Sequence, residues 1–336
     1  MYNDIYNLPK HIKDAQINFE KHCNIQSNFE DIDKIVILGM GGSAITGLFM
    51  KELYKNSLKI PIHIVQNYDI PNWINEKTLI IASSYSGNTE ETLISCKKCI
   101  DKNVKNIIGF TTGGKLLKLL NENNITDYVK LPIGLQPRAA IGYTFTMMIN
   151  LFYKINFINK EEIELIDKSI NHLESLNQMY SKNNESNIAF KLSKIIYKKN
   201  PIIYTEDGLF NVIAYRLKSQ LAENSKILSF NHSIPEMNHN EIEAFVKNIN
   251  DNFILIWIED ESFNPKNIKR MKIVSKILAK KVSQQLHINI PIKQDNMILK
   301  CFCYINLVDW ISYHCSILNE VNCTEIPNIN LLKKSL

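Results

Sequence analysis

Short apolar runs alternate with longer amphipathic stretches along this chain. Residues 34–38 (KIVIL), 61–65 (PIHIV), 79–82 (LIIA) and 106–110 (NIIGF) are nearly continuous in apolar residues, many of them β-branched. Runs without polar alternation mark strands covered on both faces, as in a parallel sheet. The intervals between them are long enough for crossover helices. The first half therefore predicts an α/β domain with a mostly parallel sheet flanked by helices.

A long helical stretch follows. Asn159 with Glu162 fits a capping box, and Ile163, Ile166, Ile170, Leu173 and Leu176 fall on one helical face. The polar residues 181–187 predict a break, then a second helix to about Tyr197, ending before Pro201. The second half repeats the α/β logic, with expected strands at 202–204, 227–230, 253–258 and 286–290. Helical patterns lie around 215–221 and 268–278. Two tandem α/β domains are expected, 1–155 and 156–336, which suits 336 residues at about 150 per domain.

In open parallel sheets ligands bind beyond the carboxyl ends of the strands. Two unusual loops fall there, Gly39-Met40-Gly41-Gly42-Ser43 and Ser83-Ser84-Tyr85-Ser86-Gly87-Asn88-Thr89, and each leads into a predicted helix. Glycines let backbone N–H groups approach a ligand, helix N-termini add partial positive charge, and the hydroxyls add donors. Together these features predict a site for phosphate or another compact anion. The spacing Gly39-x-Gly41-x-x-Ala44 also satisfies a dinucleotide fingerprint. That fingerprint wants an acid at the tip of the next strand, where Gln66 and Asn67 stand instead. A P-loop of the form GxxxxGK[ST] is absent.

Composition narrows the classes. The net charge is a scattered +5, with 39 Lys+Arg against 34 Asp+Glu, so no nucleic-acid footprint is expected. No apolar stretch approaches the ~20 residues of a membrane helix, and no signal peptide is read at the N-terminus. Seven scattered cysteines suggest reduced thiols and a cytoplasmic setting. Cys96 and Cys99 form a CxxC pair inside a predicted helix, without a second pair or nearby histidines to make a zinc site. Cys301 and Cys303 alternate as core residues would.

The two loops together resemble the sugar isomerase (SIS) domain. Further segments resemble, in order, the bifunctional phosphoglucose/phosphomannose isomerase family: Pro137–Tyr143 its PRAxxGY, Gln220–Lys226 its QxxENxK, Pro235–Glu243 its PExxHNxIE, and Ile329–Lys333 its closing IxxLK. The resemblance implies two SIS domains, a homodimer with active sites near its interface, and aldose–ketose isomerisation of hexose 6-phosphates with no metal and no cofactor. It implies substrate phosphate on Gly42, Ser43, Ser84, Ser86 and Thr89. It implies Glu223 as the proton shuttle through a cis-enediol, His239 and Lys333 in ring opening, and Arg138 beside the enediolate. Thr324 is a possible contact on the C2 side of the substrate. The competing expectation is a non-catalytic sugar-phosphate-binding regulator built on the same fold.

Overall fold

The computed structural model describes residues 1–247, 251–290, 292 and 296–335. They form two compact units, Asn7–His172 and Leu173–Leu336, with Met1–Tyr6 belonging to the second. The division between His172 and Leu173 lies inside a helix, and the sequence-based cut at 155/156 falls in the turn ahead of it.

Helix α1 (Tyr2–Tyr6) is a single short turn of the second unit. The first unit begins with α2 (Leu8–His22) and β1 (Cys23–Asn24), followed by β2 (Lys34–Leu38), α3 (Gly41–Tyr54), β3 (Ile62–Val65) and β4 (Thr78–Ser84). Next come α4 (Glu90–Asp101), β5 (Ile107–Thr111), α5 (Gly114–Glu122), β6 (Tyr128–Lys130), a 3-10 turn Pro137–Ala139 and α6 (Ile141–Lys154). The sheet order is β1-β6-β5-β4-β2-β3, parallel throughout except for β1. β2 and β4 are buried along nearly their whole length, which is why they read as unbroken apolar runs. On one side of this sheet Val36, Leu38, Ile80, Ala82 and Ile107 pack with Cys96, Cys99, Leu116 and Leu120 of α4 and α5. The CxxC pair is thus core, and burial pushes both thiols up to about 12.

From β2 the chain first adds β3 on one side, then returns to lay β4, β5 and β6 on the other. The strand order reverses between β2 and β4. This is the switch point at which open α/β sheets leave a crevice beyond the strand ends.

Helix α7 (Lys160–Tyr180) carries the division between units, and α8 (Ile188–Ile196) follows the expected break. The second unit continues with β7 (Asn200–Glu206), α9 (Leu209–Gln220), a π turn Leu221–Ser225, β8 (Phe230–Ile234), and 3-10 turns Glu236–His239 and Glu241–Val246. β9 (Phe253–Ile258), α10 (Pro265–Leu278), β10 (Gln285–Ile288), α11 (Met297–Leu318) and α12 (Pro327–Ser335) complete it. Its sheet is parallel, in the order β10-β9-β7-β8.

Helix α11 is the core of this unit. It is buried from Ile298 to Ser312, so it has no polar stripe to give a helical period. Cys301 and Cys303 belong to it. Helix α1 closes over its far end, where Tyr2 meets Trp310 edge-on at 5.2 Å and Tyr6 O accepts from Asn177 Nδ2 at 2.9 Å. The strand expected at 227–230 begins instead at Phe230, because the π turn and the residues after it occupy the preceding positions.

Candidate functional site

The candidate residues fall into two groups, one in each unit. In the first unit the loops after β2 and β4 lie at the switch point. Met40 takes the N-cap of α3 and Thr89 that of α4, and neither side chain caps its helix, so both N-termini keep the character of an anion site. Ser43 and Ser84 are buried, Ser86 is exposed and Thr89 is partly exposed. Ser84 Oγ and Thr89 Oγ1 are 2.8 Å apart, which fixes both hydroxyls on one side of the loop.

A third strand-end loop packs against the loop after β4. Gly87 lies so close to Gly113 that a Cβ on it would stand 1.8 Å from Gly113 O, so only glycine fits there. Asn88 Oδ1 accepts from Lys115 N at 3.1 Å and so caps α5. These contacts interlock the loops after β4 and β5. Thr111-Thr112-Gly113-Gly114 follows an apolar run just as the other two loops do, so the same local pattern marks it in the sequence.

Arg138 joins the cradle through Gly42. A Cβ on Gly42 would stand 2.8 Å from Pro137 O and 3.6 Å from Arg138 Cα, so the first turn of α3 lies directly on the Pro137–Ala139 turn. Thr46 Oγ1 bonds both Gly42 O (3.1 Å) and Thr144 Oγ1 (2.9 Å), tying α3 to α6 behind the contact. Tyr85 OH donates to Pro132 O at 2.7 Å and accepts from Leu135 N at 3.2 Å, which pins the segment leading to Arg138. Arg138 itself is 5% exposed, a burial that suits a fixed guanidinium.

The second sheet also reverses its order, between β7 and β9. The residues at those strand ends are Glu206 and Asp207 after β7, and Glu259, Asp260 and Glu261 after β9. Lys300 Nζ pairs with Asp260 Oδ1 at 2.7 Å and lies 4.0 Å from Glu261 Oε1, and His287 Nδ1 meets Glu259 Oε1 at 3.1 Å.

Glu223 stands at the other end of this sheet, on the π turn that ends α9. One face of α9 and the turn is clamped to α11. Arg216 makes a bidentate pair with Asp309 (Nε–Oδ1 2.9 Å, N–H to Oδ2 2.6 Å), and Gln220 Nε2 donates to Asp309 Oδ1 at 2.8 Å. Asn224 Nδ2 donates to Ser312 Oγ at 2.9 Å, and Ser225 Oγ to Ser312 O at 2.6 Å. With Asn224 and Ser225 turned inward, Ala222 and Glu223 face a cleft of about 430 Å³. Lys226, Leu228, Ile326, Pro327 and Ile329 complete most of its wall. That volume is on the scale of a small-molecule site. The extra residue of a π turn is a common device at functional sites, because it re-aims the side chains that follow.

His239 ends the 3-10 turn Glu236–His239 and is exposed. Its neighbours are anchored. Met237 is buried, and Glu241 accepts from Tyr204 OH at 2.8 Å and pairs with His232 Nδ1 at 3.0 Å. His232 lies in β8. Lys333 is on α12, which has no buried residue. Thr324 lies in the segment leading to α12, where its N–H donates to Asn322 Oδ1 at 2.9 Å. Among the described residues no group of three or more His, Cys, Asp or Glu could hold a metal ion. No described helix is long and apolar enough to cross a membrane.

Residues 28–116 match the SIS domain family, and residues 185–336 match the bacterial phospho-glucose isomerase C-terminal SIS domain. A curated relative, bifunctional phosphoglucose/phosphomannose isomerase of Caldicellulosiruptor bescii, is 36% identical over 340 residues, covering 100% of this chain and 98% of that one. The chain belongs to the bifunctional phosphoglucose/phosphomannose isomerase family. A second relative, D-glucosamine-6-phosphate 4-epimerase of Sulfolobus acidocaldarius, is 30% identical over 275 residues, 76% of this chain and 84% of its own. Among solved structures, the C-terminal domain of glucosamine-fructose-6-phosphate aminotransferase from Francisella tularensis superposes with a TM-score of 0.70 at 15% identity. It covers 97% of this chain and 98% of that chain, a likeness of fold. Both units of this family member are thus SIS domains, on mostly parallel sheets flanked by helices.

Proposed function

We propose that the protein interconverts glucose 6-phosphate and fructose 6-phosphate, and mannose 6-phosphate with fructose 6-phosphate, as a homodimer without metal or cofactor. The phosphate binds Gly42, Ser43, Ser84, Ser86 and Thr89. His239 and Lys333 open the sugar ring by moving a proton to and from the ring oxygen. The Glu223 carboxylate then takes the proton from C2 of the aldose. The C–H electron pair forms the C1=C2 bond of the cis-enediol while O1 gains a proton. Glu223 returns its proton to C1, O2 loses one, and the ketose results. Arg138 stabilises the negative charge on O1 and O2, which is greatest between ground states and so lowers the barrier.

The observation that carries this reading is the π turn. It holds two of three consecutive polar residues, Asn224 and Ser225, against α11 and leaves the carboxylate on a cleft of ligand size. A regulator that only binds sugar phosphate has use for the cradle but none for that carboxylate. The test is turnover of fructose 6-phosphate to glucose and mannose 6-phosphates, without added metal or NAD, by the wild type and Glu223→Gln. The variant is expected to lose about 10²–10⁴ in rate, the scale of a general base. Near-wild-type activity in it would refute the role, and binding without turnover in the wild type would favour the regulator.

A further inference from the structure

Lys226 follows the π turn immediately, and its geometry is unusual for a side chain at the surface. Its Nζ donates to three backbone carbonyls: Glu223 O at 2.6 Å, Asn322 O at 3.1 Å and Glu325 O at 2.7 Å. An ammonium has three protons, enough for one bond to each of these carbonyls. The residue also adopts a left-handed backbone, φ 59° and ψ 35°, which is unfavourable for a side-chain-bearing residue. That backbone lets its own N–H reach Leu221 O and close the turn. Ordering a lysine in this way costs rotamer entropy that a solvated surface lysine keeps.

Glu223 and Glu325 belong to two different walls of the cleft, and Asn322 stands just ahead of the second. One wall is the π turn with residues 226–228. The other is the segment from Glu325 to Ile329, which follows Asn322 and includes the start of α12. The geometry points to Lys226 as a positioning residue: its ammonium joins the turn that carries Glu223 to the 322–325 segment, so the two walls keep a fixed separation. Strain at a left-handed residue persists where the surroundings over-determine it, and here the tripod of bonds does so. The inference rests on the catalytic reading of Glu223 for its effect on rate, and on the geometry alone for its effect on the segment.

Two variants separate positioning from folding. Lys226→Met keeps an apolar stem and removes the ammonium. Lys226→Gly also removes it but relieves the left-handed backbone, so the melting temperature should hold near that of the wild type. In both, hydrogen–deuterium exchange of the amides in residues 321–327 should speed up by at least about tenfold as that wall detaches. In both, kcat for hexose 6-phosphate isomerisation should fall at least about tenfold while KM for fructose 6-phosphate stays within about threefold, because the phosphate cradle is untouched. Lys226→Gly folding with wild-type exchange in 321–327 would overturn the inference, and so would accelerated exchange with wild-type kcat. A wild-type protein that turns over no hexose 6-phosphate would sink the proposed function instead, and the exchange measurement would still decide whether Lys226 joins the two walls.

Discussion

The Gly42 contact makes a quantitative prediction, with Gly41 as its control. Replacing Gly42 by alanine sets a methyl 2.8 Å from Pro137 O and 3.3 Å from Pro137 C, both backbone atoms that no rotamer change can remove. To restore ordinary contact at about 3.5 Å the Pro137–Ala139 turn must retreat from α3 by roughly 0.7 Å. Overpacking of this kind costs about 1–3 kcal/mol. The retreat carries Arg138 away from the first turn of α3. Since a misplacement of 1 Å can cost about 10² in rate, roughly a tenfold loss of kcat/KM is expected. Gly41 has φ +50° and no atom within 4 Å of its hypothetical Cβ. Alanine there costs about 1–2 kcal/mol of left-handed strain but displaces nothing. Thermal unfolding and steady-state kinetics on fructose 6-phosphate distinguish the two. Comparable destabilisation, with the larger kinetic loss only in Gly42→Ala, is the expected result. Wild-type kcat/KM in Gly42→Ala would refute the claim that this contact places Arg138.

Two further predictions concern the second unit. Asp309→Ala removes the carboxylate that the buried Arg216 and Gln220 share, and breaking such a buried pair costs about 3–5 kcal/mol. At ~2–4 °C per kcal/mol for a domain of this size, Tm falls by roughly 6–20 °C; the paired change Arg216→Met with Asp309→Leu recovers most of it, and a loss near zero for Asp309→Ala would refute the clamp. His314 is fully buried against Trp310, and burial lowers its pKa below the ordinary 6.5. The unfolded chain therefore binds this proton at a higher pH than the folded one, and stability falls as pH drops from about 6.5 toward the lowered value. Urea unfolding from pH 7.5 to 5.5 should show a shallower decline in His314→Gln; an unchanged slope would remove His314 from the account.

Several features could be read before any coordinates. Residues 34–38 and 79–82 are buried on both faces and so carry an unbroken apolar signal, and the glycine- and hydroxyl-rich loops follow them directly. A strand, its terminal loop and the next helix start are contiguous in sequence, so a local pattern reports them. Helix α11 gave no such pattern, because a helix buried on every side has no period to detect. The division inside α7 was equally hidden, since a domain boundary within a continuous helix leaves no turn or composition change.

The candidate site divides along the same line. The glycine- and hydroxyl-rich loops that suit an anion, and the glutamate in its family-like segment, followed from the order of the chain alone. The π turn, the inward clamp of Asn224 and Ser225 on Ser312, and the reach of Lys226 to Asn322 and Glu325 did not. The clamp and the lysine bonds join residues 87 to 99 positions apart. Their partners are backbone carbonyls and small hydroxyls that carry no pattern in the sequence. Such bonds exist only once α9 and α11 have packed, so the tertiary structure alone decided which way Glu223 faces.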